Sequence, residues 1–371
     1  MKYRNFLIWM PVVAFVCLLL AGLVVSVLSL KKLTAQDWSE LGNPAKILSG
    51  ESTKHFTKLL NKNFVLGAVF NRVEHAIQWN LIGDMGSSVR SGCDDWLFLS
   101  DELEIYPDST KSASARVELA AILNERLQSR GIKLLMVVVP DKTRIESAHL
   151  CGLNRSFSFE NRIMSWLNTL KSRSVTVLSL TDTLSALQGD RYYHTDTHWN
   201  ESGSNAAAGA VAADLWKLGW ATPASSREVV LNLLLQPRPG DLVHLAGLDG
   251  LPGFLRPKVE LAKISVVPPV AVASDDLFGN SGLPTIALIG TSYSRNSNFV
   301  PFLENHLGEP VANLAKDGGD FAGAAIAYFS GSTFRDNPPK TVIWEVPERV
   351  IEKPLSEVER QWLEKLKKGG L

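Results

Sequence analysis

In the stretch Tyr193-His194-Thr195-Asp196-Thr197-His198-Trp199 the ionisable residues fall on alternate positions. On an extended strand that spacing sets Asp196 and His198 on one face. A carboxylate beside an imidazole fixes the ring tautomer and stabilises the protonated ring, as a general base requires. Two plainer readings fit the same spacing. One is a surface strand with ordinary polar alternation. The other is a metal site through His194, Asp196 and His198, against which stands the lack of another histidine or cysteine cluster to complete the ligand set.

A nucleophile is offered further on, in Leu288-Ile289-Gly290-Thr291-Ser292-Tyr293-Ser294, where an apolar strand hands over to a helix. Sites in open parallel sheets form beyond the carboxyl ends of the strands. A serine on that turn is exposed, and helix N-terminal N–H groups beside it can stabilise an oxyanion. Gly290 is expected to let the backbone turn tightly. The alternative is that Thr291 or Ser292 only caps the next helix. An Asp/His pair at the edge of the same sheet favours the nucleophile.

The elements that must position these groups alternate. Helix Ala113–Arg130 leads to strand Ile132–Val139, a continuous apolar run suited to burial on both faces. Helix Phe159–Lys171 leads to strand Val175–Leu180, and the alanine-rich helix Ser202–Leu218 follows. Strand Thr285–Ile289, helix Asn298–His306, strand Val311–Leu314, helix Phe321–Phe329 and strand Thr341–Val346 close the series. With Trp96–Leu99 as a short extra strand, this predicts a three-layer α/β/α domain over 91–350 with roughly five parallel strands. Residues 31–90 read as a juxtamembrane stem with helical pieces, and 351–371 as a C-terminal helix. The segment 221–282 breaks the rhythm with Pro237, Pro239, Pro252, Pro257, Pro268 and Pro269; it reads as a loop-rich insert over or beside the carboxyl edge of the sheet. Its Gly247–Gly253 is glycine-rich but has no strand before it, and Pro252 blocks a helix after it. Asn154-Arg155-Ser156 is a glycosylation sequon by pattern only.

Composition narrows the class. Hydrophobic residues are 45% and charged residues 20%, a globular balance. Lys+Arg and Asp+Glu are both 38, without the basic excess of a nucleic-acid binder. Of three cysteines, only Cys93 and Cys151 lie beyond the first thirty residues, so they allow one disulfide at most. From Phe6 to Leu30 no residue is charged; as a helix this run is ~37 Å long, against ~30 Å of hydrocarbon. Lys2 and Arg4 before it, with Lys31 and Lys32 after it, slightly favour a cytoplasmic N-terminus. A cleaved signal peptide is disfavoured, because no A-x-A site ends the run. Phe15 and Val16 are too bulky to make Cys17 a lipoprotein cysteine. One uncleaved anchor with ~340 residues outside the cytoplasm is the expectation.

Taken together, Thr195-Asp196-Thr197-His198-Trp199 and Gly290-Thr291-Ser292-Tyr293-Ser294 resemble the AlgX/AlgJ-type SGNH proteins, which O-acetylate bacterial exopolysaccharides such as alginate or cellulose. Supporting pieces are Gly92 with Trp96-Leu97-Phe98, Val139-Pro140 followed by Lys142, Gly240-Asp241-Leu242, and Trp344-Glu345-Val346-Pro347-Glu348-Arg349. The resemblance implies a circularly permuted SGNH hydrolase-like fold and a triad of Ser292, His198 and Asp196. It calls for an oxyanion-hole glycine, for which Gly318 or Gly319 after a strand is the expected position, and leaves the asparagine unassigned for want of a GxND motif; Tyr293 and Arg295 are near enough to Ser292 in sequence to line the pocket. It implies an inner-membrane protein with a periplasmic domain, an exopolysaccharide acceptor, other biosynthesis proteins as partners, and a multi-spanning acyltransferase as acetyl donor. No P-loop or dinucleotide fingerprint is present, and no cofactor or metal is expected. An acetylesterase with the same triad and a non-catalytic scaffold of the export machinery are the competing functions.

Overall fold

Lys133–Val139 and Thr341–Pro347 are apolar along nearly their whole length because both strands lie inside the sheet, with helices on each face. The computed structural model describes residues 2–83, 85–223, 234–270 and 283–370. Its strands are β1 (Val89–Ser91), β2 (Leu97–Leu99), β3 (Lys133–Val139), β4 (Thr176–Ser179), β5 (Leu234–Arg238), β6 (Glu260–Ile264), β7 (Ile286–Ile289), β8 (Val311–Asn313) and β9 (Thr341–Pro347). Five of them form one sheet in the order β4-β3-β9-β7-β8, every neighbouring pair parallel.

Alternate residues of β3 go to opposite layers. Leu134, Met136 and Val138 pack with helices Ser109–Gln128, Arg162–Ser172, Gly323–Phe329 and Glu357–Lys367. Leu135, Val137 and Val139 pack with helices Glu201–Lys217 and Phe299–Leu307. The result is the three-layer α/β/α architecture that the alternation of elements predicts.

The chain divides into two compact units, Met1–Ile82 with Gly247–Leu255, and Gly83–Ala246 with Arg256–Leu371. In the first, helix Lys2–Leu30 contains the span Trp9–Leu30, long and apolar enough to cross a membrane. Four shorter helices follow between Ala35 and Ile82. The second unit begins earlier than residue 91, because β1 pairs antiparallel with β2. The C-terminal helix is shorter than 351–371. It starts at Glu357, where the Ser356 hydroxyl accepts from the Glu359 N–H and the Glu359 carboxylate accepts from the Ser356 N–H. Buried Arg116 clamps that same Glu359 through Nε and Nη2, both at 3.1 Å, tying the C-terminal helix to helix Ser109–Gln128.

Cys93 and Cys151 form a disulfide across 58 residues, with a Cα–Cα distance of 5.7 Å. Of the insert, residues 224–233 and 271–282 lie outside the described ones. The rest supplies β5 and β6, paired antiparallel, and the short helix Asp241–Leu245.

Candidate active site

The serine-bearing turn is built on a buried carboxylate. Glu345, on the central strand β9, accepts from the Thr291 N–H at 2.7 Å, the Thr291 hydroxyl at 3.0 Å and the Ser294 hydroxyl at 3.0 Å. Burial raises its carboxyl above the ordinary range, and these donors oppose the rise. Gly290 is needed here for closeness and not for a left-handed backbone, since its φ is not positive. A Cβ at that position would lie 2.5 Å from Glu345 Oε2 and 2.9 Å from Ser294 Oγ. The capping role falls to Thr291, whose Oγ1 accepts from the Tyr293 N–H at 3.3 Å. Ser292 is therefore left to point elsewhere.

It points at His198. Ser292 Oγ is 2.7 Å from Nε2 of His198, and Nδ1 of the same ring is 2.6 Å from Oδ1 of Asp196. The two clusters singled out in the sequence meet in one hydrogen-bonded chain, across 94 residues of sequence. Residues 193–198 are not a strand, however. Tyr192 and Trp199 make a single antiparallel bridge, and the Tyr193 N–H donates to the His198 carbonyl at 3.1 Å, closing a tight loop. Asp196 faces His198 because the loop curls back on itself, with the His198 N–H donating to Asp196 Oδ1 at 2.9 Å. The loop is buried, with Thr195, Asp196, Thr197 and His198 all at most 6% exposed, which removes the surface-strand reading.

Lys142 pins this loop from beneath. Its buried ammonium donates to the carbonyls of Leu97 at 2.6 Å, His194 at 2.8 Å and Asp196 at 3.0 Å. Burial pushes its pKa down to about 8, against the pull of Glu102 and Asp196. From the other side, Asp241 Oδ1 accepts from the Thr197 N–H at 2.7 Å, and its Oδ2 lies 3.7 Å from His198 Nδ1. Gly240 before it admits no side chain, because a Cβ would run into the Thr195 carbonyl.

Sequence reading missed Arg238. Its Nε donates to Asp196 Oδ2 at 3.0 Å, its Nη2 to Asn296 Oδ1 at 3.4 Å, and its guanidinium stacks 4.2 Å from the centre of the Tyr193 ring. Burial alone would raise the pKa of Asp196. The bonds from His198 and the charge of Arg238 outweigh it and hold the carboxyl well below the usual range. Asn296, also missed, donates from Nδ2 to the Ser292 carbonyl at 2.9 Å, and that nitrogen is 3.4 Å from His198 Nε2. The one signal available was proximity: Asn296 follows Ser292 by four residues.

The other expected residues go elsewhere. Tyr293 is fully buried; its hydroxyl donates to the Thr197 carbonyl at 3.0 Å, and its ring meets the His198 ring edge-on at 5.2 Å, so it buttresses the imidazole and lines no pocket. Arg295 is exposed and pairs with Asp317 at 3.4 Å. The Gly319 N–H is committed to the Lys316 carbonyl at 3.2 Å, which takes away the basis for using it on an oxyanion. His194 turns to Asp190 at 2.9 Å and stacks on Trp96, so the metal trio of His194, Asp196 and His198 does not assemble.

A serine presented after a strand of a parallel sheet, facing an Asp/His pair carried on a separate loop, belongs to the SGNH hydrolase-like class of α/β folds. Residues 89–348 match the family model described as an SGNH hydrolase-like domain, acetyltransferase AlgX, and the chain belongs to that family. Relatives named probable alginate O-acetylase AlgJ are similar over most of both chains. The one from Pseudomonas syringae pv. tomato is 29% identical over 333 residues, 87% of this chain and 85% of the relative. The one from Azotobacter vinelandii is 28% identical over 336 residues, 87% and 86% of the two chains. The solved O-acetyltransferase domain of Pseudomonas putida AlgJ shares the fold, with a TM-score of 0.64 at 24% identity, covering 76% of this chain and 99% of that one.

Proposed function

We propose that this chain is an O-acetyltransferase that places acetyl groups on hydroxyls of a bacterial exopolysaccharide, through an acetyl-serine at Ser292. The observation that carries it is the relay Asp196–His198–Ser292, with its 2.6 and 2.7 Å links. Ser292 Oγ attacks the acetyl carbonyl while His198 Nε2 takes its proton. The oxyanion rests on the Ser292 N–H, which has no partner within its own turn as the first residue of that turn, and on Asn296 Nδ2. The leaving group departs with the proton from His198. A sugar hydroxyl then gives its proton to His198 and attacks the acetyl-serine, and His198 passes that proton to Ser292 Oγ as the acetyl–oxygen bond breaks. Asp196, anionic throughout, keeps Nδ1 protonated and steadies the charged ring.

The names of the AlgJ relatives support an alginate-type polymer as acceptor and exopolysaccharide machinery as partner. A multi-spanning acyltransferase is proposed as the source of acetyl groups. The apolar helix and the disulfide support one inner-membrane anchor with the catalytic unit in the oxidising periplasm.

The test uses the full-length chain in detergent with a small acetyl ester, an oligosaccharide acceptor, and mass spectrometry for acetyl on Ser292. Ser292→Ala should keep the fold and lose roughly four orders of magnitude or more in transfer. His198→Ala should fall comparably, and the double variant little further. Acetate release without transfer would make the protein an esterase; an unchanged rate in Ser292→Ala would remove the mechanism.

A further inference from the structure

We propose that Arg238 is a positioning residue that sets both halves of the reaction centre with one guanidinium. This rests on the reading of Ser292, His198 and Asp196 as the triad. Nε holds Asp196 Oδ2 at 3.0 Å, leaving Oδ1 to face the backbone N–H and Nδ1 of His198. Nη2 faces Asn296 Oδ1 at 3.4 Å, so the oxygen end of that amide is turned toward the cation. The nitrogen end is thereby aimed at the Ser292 carbonyl and His198 Nε2, where an oxyanion donor has to be. An amide has two nearly isosteric ends, and a fixed cation on one side settles which is which. The Tyr193 ring under the guanidinium, 4.2 Å away, keeps the fork in plane for both contacts.

Arg238 reaches the site from the insert, at the end of β5, three residues before Asp241. The insert therefore delivers a cation to the outer oxygen of Asp196 and an anion 3.7 Å from His198 Nδ1. The charged and titratable groups around the imidazole are Asp196, Asp241 and Arg238. Behind them are Lys142 on the Asp196 carbonyl, Tyr293 against the ring, Arg349 on the Tyr293 hydroxyl at 3.4 Å, and Glu345 under the serine turn. Of these, Arg238 alone bonds both Asp196 and Asn296 through their side chains.

The two contacts make separable predictions. Removing the cation leaves the Asp196 charge unopposed and favours the protonated imidazole. The acid limb of the kcat/KM profile should then move to higher pH than in the parent. Releasing Asn296 should lower kcat by roughly tenfold to a hundredfold, less than outright loss of an oxyanion donor. Lysine restores the charge as a point and cannot hold two partners in a fork.

The experiment measures pH profiles of acetyl-ester turnover by the full-length chain in detergent, for the parent, Arg238→Gln and Arg238→Lys, with Ser292→Ala as the blank. Melting curves accompany each profile. Arg238→Gln should show both the limb shift and the kcat loss; Arg238→Lys should keep the parent limb and still lose kcat. Adding Asn296→Ala to Arg238→Gln should cost less than it does in the parent. A parent-like profile and kcat in Arg238→Gln overturns the proposal while a dead Ser292→Ala leaves the triad standing. An active Ser292→Ala overturns the triad itself. If Arg238→Gln melts early, Arg238→Lys decides alone, and a parent kcat there overturns the proposal.

Discussion

Gly290→Ala tests whether the serine turn is held by its contact with Glu345. The added methyl carbon would sit 2.5 Å from Glu345 Oε2, 2.9 Å from Glu345 Cβ and 2.9 Å from Ser294 Oγ. The strand side is fixed, because Glu345 belongs to β9 at the centre of the sheet and is 1% exposed. Either the carboxylate swings aside or the turn lifts. Overpacking of this kind costs about 1–3 kcal/mol. A displaced carboxylate also loses one or two of its bonds to Thr291 and Ser294, each worth about 1.5–3 kcal/mol to a charged group. The sum is about 2.5–9 kcal/mol, and a lift of even 1 Å at Ser292 would cost roughly a hundredfold in rate. Urea unfolding gives the first quantity. The rate of sulfonyl-fluoride labelling at Ser292 gives the second without needing an acceptor. In a Glu345→Ala background the methyl should cost less, since the nearest contact, the oxygen at 2.5 Å, is gone while Cβ of residue 345 and Ser294 Oγ stay at 2.9 Å. A loss under 1 kcal/mol with unchanged labelling would refute the account of the turn.

Two further outcomes concern groups away from the reacting atoms. Replacing Cys93 and Cys151 by alanine should cost about 4 kcal/mol for a link spanning 58 residues. In chain taken from cells under thiol block both cysteines should label only after reduction, whereas immediate labelling would argue against export. Burial raises the pKa of the Glu345 carboxyl, so the folded state holds its proton more tightly than the unfolded chain does. Its contribution to stability is full below the unfolded value of ~4.3 and is lost as pH rises through the higher folded value. Melting temperature against pH should therefore flatten in Glu345→Gln across that window, and parallel curves for parent and variant would refute the assignment.

The sheet was legible because burial on both faces leaves little freedom in residue choice. Only an almost unbroken apolar run can occupy β3 or β9, and such runs stand out. The serine turn was legible for a related reason, since an apolar strand ending in Gly290-Thr291-Ser292 has few other uses. The loop at 193–198 was misread as a strand. Polar residues at every second position look the same whether the chain runs straight or curls to bring i and i+2 together. Tyr293 was misplaced because neighbours on a tight 3-10 turn point ~120° apart, so adjacency to Ser292 in sequence places Tyr293 inward. Arg238 could not be read at all. It lies between Pro237 and Pro239, and its partner Asp196 is 42 residues away. A lone arginine in a proline-rich stretch carries no periodic or motif signal.

The position of β9 has a consequence for the order of assembly. It is the last strand in the chain, yet it lies between β3 and β7 in the middle of the sheet. Until Thr341–Pro347 emerges, the half carrying β3 and β4 has no sheet partner in common with the half carrying β7 and β8. The loop with Asp196 and His198 follows the first half, and Ser292 lies within the second, between β7 and β8. The strand that joins the halves also brings Glu345 under the serine turn. A chain that is made or threaded across a membrane from its N-terminus thus stays without the central strand of its sheet until almost its full length has passed, and a truncation before Thr341 leaves the two halves of the sheet unpaired with each other.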